Sequence, residues 1–294
     1  MKRPEHVWQL CSRSVELARR TLVMGILNVT PDSFSDAGKF FSRDHAVGHA
    51  LRMFEEGADM VDIGGESTRP GVRVAESGVP TEEELRRIMP VIEDVLREHP
   101  RALLSVDTYK AKVARAAVNA GAEIVNDVSA LRWDPEMAQT VVELKCGVVL
   151  MHSRGRPEEW ASLPTSPDIV AEVRADLREW TRSLMVQGIE KNRIVLDAGF
   201  GFGKKFGGNY PLLAGLGKLH ELGFPLLAGV SRKSFIGRTL ARDGKDVPPQ
   251  ERLYGSLAAV TACVLEGVHI VRVHDVRPAV EAVKVADEIM AIGK

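Results

Sequence analysis

The chain repeats one pattern eight times: a short apolar run ends in polar residues, and a segment with helical spacing of apolar residues follows. This alternation is typical of parallel strands joined by helical crossovers, because parallel neighbours need a long connection. Eight repeats in 294 residues favour an α/β fold of the closed (β/α)8 type, a TIM barrel, over an open doubly wound sheet. The apolar runs are LVMGILN, DMVDIGGES, ALLSVDT, EIVNDVS, GVVLMHS, RIVLDAG, PLLAGVSR and IVRVHD.

The segments outside these runs complete the predicted organisation. Residues 1–20 precede the first run as an N-terminal extension, and we expect the segment before the first strand to plug the N-terminal face of the barrel. No linker or low-complexity tract interrupts the chain, so residues 1–294 are predicted to form a single domain. Two connections, 28–44 and 64–83, are long, polar and rich in turn formers, which indicates a lid or substrate clamp.

The charge balance gives no general preference for polyanions. With 39 basic and 40 acidic residues, the net charge is -1, so neither nucleic acid nor an anionic membrane is an expected partner. The cysteines at 11, 146 and 263 are odd in number and far apart, which favours reduced thiols over disulfides or a zinc site. The sequence has no export signal and no apolar stretch of the roughly 18 residues that a membrane span needs, so it predicts a cytoplasmic protein.

Polar residues stand at or just beyond the ends of the apolar runs. In a barrel of this kind the C-terminal strand ends converge on one mouth, where catalytic and binding residues lie. Any one such residue fits equally well as a helix cap or a satisfied core group, but a whole set around one mouth favours a ligand site. The set is Asn28, Asp107, Asn126, His152, Asp197, Lys233, Arg272 and His274.

The chemistry of this set indicates two ligands of different character. Carboxylate and amide groups suit a flat heterocycle that carries both hydrogen-bond donors and acceptors. The cationic members, with Arg69 and Arg232 nearby, suit anionic oxygens such as those of a diphosphate or a carboxylate. The sequence therefore predicts that one mouth holds a heterocycle and an anion.

Two local motifs do not support other functions. The segment GFGFGKKF, which begins at Gly199, has a glycine spacing that fits neither the dinucleotide fingerprint nor the P-loop. His45 and His49 are four residues apart, but the acid of an HExxH motif is missing and no third ligand is evident. We therefore predict no nucleotide site in the first and an ordinary helix face for the second.

Seven segments between Met24 and Val276, among them NVTPDSFSD and GGESTRPG, together resemble the dihydropteroate synthases. They follow the order and spacing of that family from Met24 to Val276, and NVTPDSFSD and GGESTRPG are the most distinctive parts. The resemblance implies a transferase of folate biosynthesis, which condenses 6-hydroxymethyl-7,8-dihydropterin diphosphate with 4-aminobenzoate to give 7,8-dihydropteroate and diphosphate. The segments are MGILNVTPDSFSD, DIGGESTRPG, SVDT, NDVSA, DAGFGFGK, SRKS and RVHDV.

The resemblance also implies roles for individual residues. Asn28 is similar to the family's Mg2+-associated residue, so Mg2+ is the expected cofactor, and the relatives' assembly implies a homodimer. Arg272 and His274 resemble the residues that stack on the pterin and bind the diphosphate. The implied pterin-recognition set is Asp107, Asn126, Asp197 and Lys233, and the candidate catalytic residues are Asp107, Asp197, Lys233, Arg272 and His274. The implied aminobenzoate pocket is Thr68, Arg69, Phe202 and Ser234, with Asp32, Ser33 and Phe34 on the first long loop.

The sequence departs from the family motifs at two places, and two alternative functions remain open. Ala198 stands where many relatives have proline, and MHSRGRP replaces a more usual MHMQG-like stretch, which leaves the role of His152 open. A pterin-binding methyltransferase domain would share the barrel and the acid and amide groups, but it accounts poorly for the cluster of cations. A noncatalytic pterin-binding protein would need no diphosphate site, and fold alone does not separate these functions.

Overall fold

The structure is a computed structural model that describes residues 3–17, 19–30, 43–66 and 78–292. Within these residues eight parallel strands close into a barrel in the order β10-β3-β4-β5-β6-β7-β8-β9, which confirms the predicted (β/α)8 fold. The strands are β3 Leu22–Asn28, β4 Met60–Gly64, β5 Leu104–Asp107, β6 Ile124–Asp127, β7 Gly147–Met151, β8 Ile194–Asp197, β9 Leu226–Ala228 and β10 Ile270–Val273. Each strand lies within one of the eight apolar runs.

Helices follow the strands and surround the barrel. The second of them, α2, places Glu82, Glu83 and Glu84 in its first turn, where carboxylates interact favourably with the helix dipole. Asp168 caps α5 by accepting a hydrogen bond from the Ala171 amide at 3.0 Å. The helices are α1 Arg43–Glu55, α2 Thr81–Glu98, α3 Ala111–Asn119, α4 Met137–Leu144, α5 Ile169–Val186, α6 Lys205–Ala214, α7 Ser234–Thr239, α8 Leu253–Leu265 and α9 Val276–Ile292.

The N-terminal end of the barrel is covered by an antiparallel hairpin of β1, His6–Gln9, and β2, Ser14–Leu17. The fully buried Trp8 and Leu10 belong to the same hydrophobic cluster as the inward side chains of the barrel strands. Gly147 makes room for them, because a Cβ atom at this position would lie 2.4 Å from Leu10 Cδ2. The hairpin therefore plugs this end, and the opposite mouth is left for ligands.

The direction of each strand side chain follows from the two-residue period of a β-strand. Met60, Ile124, Val195 and Ile270 pack inward against the plug. Residues two positions further along the same strands also face the barrel interior, nearer the open mouth, and these are Asp62, Asn126, Asp197 and Arg272. Polar side chains thus replace apolar ones on the inner surface as the strands approach the C-terminal mouth.

Some expectations fall outside the described residues. The long connections contain 31–42 and 67–77, so their predicted role as a lid or clamp has no structural description, and neither has the placement of Asp32, Ser33, Phe34, Thr68 and Arg69. Among the described helices, none combines the length and the apolar character that a membrane crossing requires.

Candidate active site at the C-terminal mouth

The ends of four neighbouring strands form a lateral row at the mouth. Asn28 on β3 is in register with Gly64 on β4, which is in register with Asp107 on β5. Asp107 is in turn in register with Asn126 on β6. Gly64 leaves space in this row, since a Cβ atom there would lie 3.3 Å from the Cβ of Asp107. Parallel register therefore brings three of the predicted site residues to one side of the mouth.

Arg272 reaches from β10 to this row. Its Nε donates to Asp62 Oδ2 at 2.6 Å, and its Nη2 donates to Asp107 Oδ2 at 2.7 Å. Asn126 Nδ2 donates to the same Asp62 oxygen at 2.7 Å. The guanidinium thus fixes two carboxylates on neighbouring strands and is itself held by them.

Asp62 is a central member of the site that the sequence analysis did not select. Its side chain is fully buried, and its Oδ1 has no hydrogen-bond partner among the described residues. The sequence does contain an indication of this role, namely an aspartate at an inward position of an apolar strand. Such a buried carboxylate must be paired or must bind a ligand. Asp62 lies inside β4, whereas the predicted site residues were sought at or just beyond the strand ends.

Asp197 lies at the end of β8, where it is 5 % exposed. The Gly199 amide donates to Asp197 Oδ1 at 2.7 Å, and Gly199 has a φ of 66°, a conformation that favours glycine. Burial raises the pKa of Asp197 above its ordinary value, while this amide favours the charged form. Burial also raises the pKa of Asp107, to about 7, and Arg272 opposes that shift.

Lys233 and Phe202 form a cation–π pair beside Asp197. The Lys233 Nζ lies 4.1 Å from the centroid of the Phe202 ring. Burial lowers the pKa of Lys233 to about 8, and the negative charge of Asp197 counters this effect. The ammonium of Lys233 therefore faces an aromatic ring on one side and acidic groups on the other.

Ser234, the first residue of α7, directly follows Lys233 in the chain and is exposed. It lines a groove of about 420 Å³ together with Gly201, Trp160 and Phe235. Trp160 packs edge-on against Phe202, with ring centroids 5.4 Å apart. Trp160 thus contacts Phe202 and also lines the groove that contains Ser234.

Two other predicted residues have different surroundings. His274 is partly exposed at the end of β10, and its Nδ1 lies 3.1 Å from Ser231 Oγ. Arg232, considered above as a cation for anionic oxygens, forms a two-point ion pair with Asp275 at 3.0 and 2.5 Å. His274 thus remains at the mouth, whereas Arg232 has an acidic partner of its own.

His152 follows β7, but its side chain packs against α5. The imidazole is fully buried, stacks on Trp180 with ring centroids 5.1 Å apart, and has Nε2 3.0 Å from Asp176 Oδ2. Its contacts with α5 indicate a structural position rather than membership of the cluster around Arg272. Burial is the main cause that lowers the pKa of His152, to about 4, and the Lys204 charge adds to the shift.

His152→Gln is expected to reduce the acid sensitivity of the fold. The folded-state pKa of His152 lies below the ordinary 6.5, so the unfolded chain binds the proton more tightly and stability is lost as pH falls from 6.5 toward 4. The substitution should remove on the order of 1 kcal/mol from the difference between the free energies of unfolding at about pH 7 and pH 5. Urea unfolding measures this difference, with His99→Gln on a partly exposed histidine as the control. An unchanged difference in His152→Gln would contradict the assignment.

Comparison with known proteins gives a consistent result. Residues 24–274 match the family model described as pterin binding enzyme. Dihydropteroate synthase of Bacillus subtilis is 43 % identical over 274 residues, which cover 93 % of this chain and 90 % of that protein. A structure of Xanthomonas albilineans dihydropteroate synthase with 4-aminobenzoic acid is 46 % identical with a TM-score of 0.88, covering 98 % of this chain and 99 % of that one. Another structure of that enzyme, in complex with 7,8-dihydropteroate, is 44 % identical with a TM-score of 0.83, covering 96 % and 99 %.

Proposed function

The chain belongs to the dihydropteroate synthase family of pterin-binding enzymes, and we infer that its barrel mouth joins the methylene carbon of 6-hydroxymethyl-7,8-dihydropterin diphosphate to the amine of 4-aminobenzoate. The enzyme is a transferase of folate biosynthesis. In the reaction the bond from carbon to the diphosphate oxygen breaks, the bond from carbon to nitrogen forms, and the amine loses one proton. We treat residues 1–294 as one pterin-binding domain.

The observation that carries the proposal is the position of the Asp197 carboxylate. Gly199 holds one of its oxygens, and we assign the other, which has no hydrogen-bond partner among the residues that the structure describes, to the amino-pyrimidine edge of a pterin. Asp107 and Asn126 lie in register on neighbouring strands and supply an acid and an amide for the rest of the ring. Lys233 completes this pterin-recognition set, which we assign on family resemblance and on this clustering.

The charges of the site suit a reaction in which opposite charges separate. An electron-rich dihydropterin spreads positive charge over its ring as the bond to diphosphate breaks, and the carboxylates of Asp197 and Asp107 stabilise that charge. Arg272 uses two of its donors on Asp62 and Asp107, which leaves guanidinium donors for the departing anion. We assign His274, at the end of the same strand, to the diphosphate as well.

The amine site is proposed on the other side of Lys233. Phe202 offers a flat apolar surface for the ring of 4-aminobenzoate, and Ser234 offers a hydroxyl for its carboxylate. Thr68 and Arg69 are assigned to this pocket by resemblance alone, because they lie outside the described residues. No strong general base is needed, since a neutral arylamine is already a nucleophile.

Mg2+ is proposed as the cofactor, with Asn28 as its protein ligand. Among the described residues no group of three histidine, cysteine or acidic side chains converges as a metal cage. A single amide oxygen fits an ion that keeps most of its other ligands as water and substrate oxygens, which is the usual behaviour of Mg2+. When bound, the ion neutralises charge on the diphosphate and so makes it a better leaving group.

Calorimetry should find that the protein without diphosphate binds Mg2+ only weakly. Added inorganic diphosphate should strengthen the binding, because it supplies the oxygens that the protein lacks. Asn28→Ala should reduce the diphosphate-dependent part of the signal. Tight Mg2+ binding in the absence of diphosphate would contradict this assignment.

The activity is tested by measuring release of diphosphate and formation of 7,8-dihydropteroate by chromatography. Formation of dihydropteroate should require 4-aminobenzoate, because the amine is the nucleophile. Pterin binding without release in the presence of the amine would favour the noncatalytic alternative. Failure to form dihydropteroate with Mg2+ and both substrates would overturn the proposal.

We also propose a homodimer located in the cytoplasm. The resemblance implies the dimer, and exposed apolar side chains on the last two helices support it, with Tyr254 84 % and Val285 63 % exposed. The three free cysteines agree with a reducing compartment. Sedimentation that finds only monomer at micromolar concentration would exclude the dimer, and cell fractionation tests the location.

A further inference from the structure

Lys204 is a buried lysine that the proposed chemistry does not use. Its residue is 3 % exposed, and its Nζ donates to the carbonyl oxygens of His152 at 3.0 Å, Gly199 at 2.7 Å and Phe202 at 3.2 Å. An ammonium has three N–H donors, so these contacts use its whole hydrogen-bonding capacity. The three acceptors come from the residue after β7 and from the loop that follows β8.

A lysine suits this position better than other side chains do. Three carbonyl dipoles that point at one spot repel each other unless a cation or several donors lie between them. The ammonium of lysine is compact and directs three donors apart, whereas arginine presents its donors in one plane. The geometry therefore requires a lysine rather than a positive charge alone.

The loop held by Lys204 carries parts of the proposed site. Its Gly199 amide orients Asp197, and its Phe202 ring lies beneath the Lys233 ammonium. Gly199, Gly201 and Gly203 all have positive φ, with values of 66°, 87° and 71°. Glycines give such a segment much conformational freedom in the unfolded chain, so tertiary contacts must fix its path.

The other contacts of the loop hold single points. Asn209 Oδ1 accepts from the Gly201 amide at 2.7 Å, and Arg154 Nη1 donates to the Gly203 carbonyl at 3.2 Å. Lys204, by contrast, joins the start of the loop, its Phe202 and the neighbouring strand end through one atom. Arg154, three residues beyond β7, also contacts the loop, since its amide donates to the Phe202 carbonyl at 3.5 Å. Lys204 differs in that one atom binds Gly199, Phe202 and the His152 carbonyl next to β7 together.

We propose that Lys204 is a positioning residue for the condensation reaction. By holding the loop that follows β8, Lys204 sets Asp197 and the Phe202–Lys233 pair at the correct distance from the two substrates. This inference rests on the proposed function. Lys204 acts through the loop, since its ammonium is buried and its three donors are bound to carbonyl oxygens.

The test compares Lys204→Met with Lys218→Met. Lys218 is exposed and lies outside the groove lined by Ser234, so the control makes the same substitution at a lysine away from the proposed site. A displacement of about 1 Å in a catalytic group can cost about 100-fold in rate. We therefore expect kcat/KM to fall by roughly 10- to 100-fold in Lys204→Met, with kcat lowered as well as KM raised. In Lys218→Met it should stay within about twofold of the original.

Hydrogen exchange of the substrate-free protein gives a second readout. In Lys204→Met the amides of residues 198–203 should exchange faster, while the barrel strands and the plug keep their protection. Because this measurement needs no substrate, it addresses the loop even where the proposed activity fails. Exchange could instead become faster throughout the chain, with activity lost only in proportion to the fraction of unfolded protein. That result would give Lys204 a general structural role and overturn the proposal.

Lys204→Arg provides a second variant that keeps the positive charge. Its planar donors cannot meet three carbonyls at once, so kcat/KM is expected to remain about tenfold below the original protein. Full activity of Lys204→Arg, or of folded Lys204→Met, would overturn the proposal. If Lys204→Met does not accumulate as folded protein, the kinetics and the exchange pattern of Lys204→Arg decide the matter.

Discussion

Asp197→Asn is expected to lower kcat/KM by about 1000-fold and to weaken pterin binding, while the protein remains folded. The carboxylate accepts the Gly199 amide on one oxygen and offers the other to the pterin. An asparagine has one acceptor and one donor at these two positions, so either the loop amide or the pterin faces an N–H group. A donor facing a donor at one end and an uncharged acceptor at the other together correspond to about 4 kcal/mol.

Isothermal titration with the pterin diphosphate measures the binding part, and diphosphate release measures the catalytic part. Asp243→Asn is the matched control, because Asp243 is exposed and its φ of 51° is one that asparagine readily adopts. It should behave as the unchanged protein does. Pterin affinity that is equal in Asp197→Asn and in the control would exclude the assigned role.

Arg272→Met is expected to destabilise the protein by about 3–5 kcal/mol and to lower activity by about 1000-fold. The loss of stability follows from the two carboxylates that Arg272 holds, since Asp62 is fully buried and Asp107 nearly so. Without the guanidinium both acids lose a charged partner in the barrel interior. The loss of activity follows from the removal of donors that we assign to the diphosphate.

Denaturant unfolding gives the stability change, and Arg277→Met gives its control. Arg277 pairs with Glu281 at 3.4 Å, but these side chains are 76 % and 69 % exposed, so this ion pair should contribute at most about 1 kcal/mol. Arg272→Lys retains a positive charge with a single point of contact. Its free energy of unfolding should lie between those of Arg272→Met and Arg277→Met. An unfolding free energy for Arg272→Met close to that of Arg277→Met would contradict the bridging role.

Family resemblance identified the transferase, and the comparisons confirm that membership. The residue roles drawn from the same motifs remain predictions, but the described members of the set do lie at one mouth. Register explains this for Asn28, Asp107 and Asn126, which occupy the ends of neighbouring strands. Arg232 stands next to Lys233 in the sequence, and both were candidates for binding anionic oxygens. In the structure Arg232 pairs with Asp275. A single sequence does not reveal which cation already has an acidic partner.

The sequence by itself determined the barrel and most of its mouth. Alternating apolar runs and helical segments specify strand and helix locally, and the two-residue period of each strand fixes which side chains face inward. Tertiary structure alone decided the pairing of these groups. Asp62 becomes a partner of Arg272 only when β4 and β10 lie in one closed barrel. His152 contacts α5, and Lys204 contacts the residue after β7. These contacts join segments that are distant in the chain, so the local sequence pattern does not predict them.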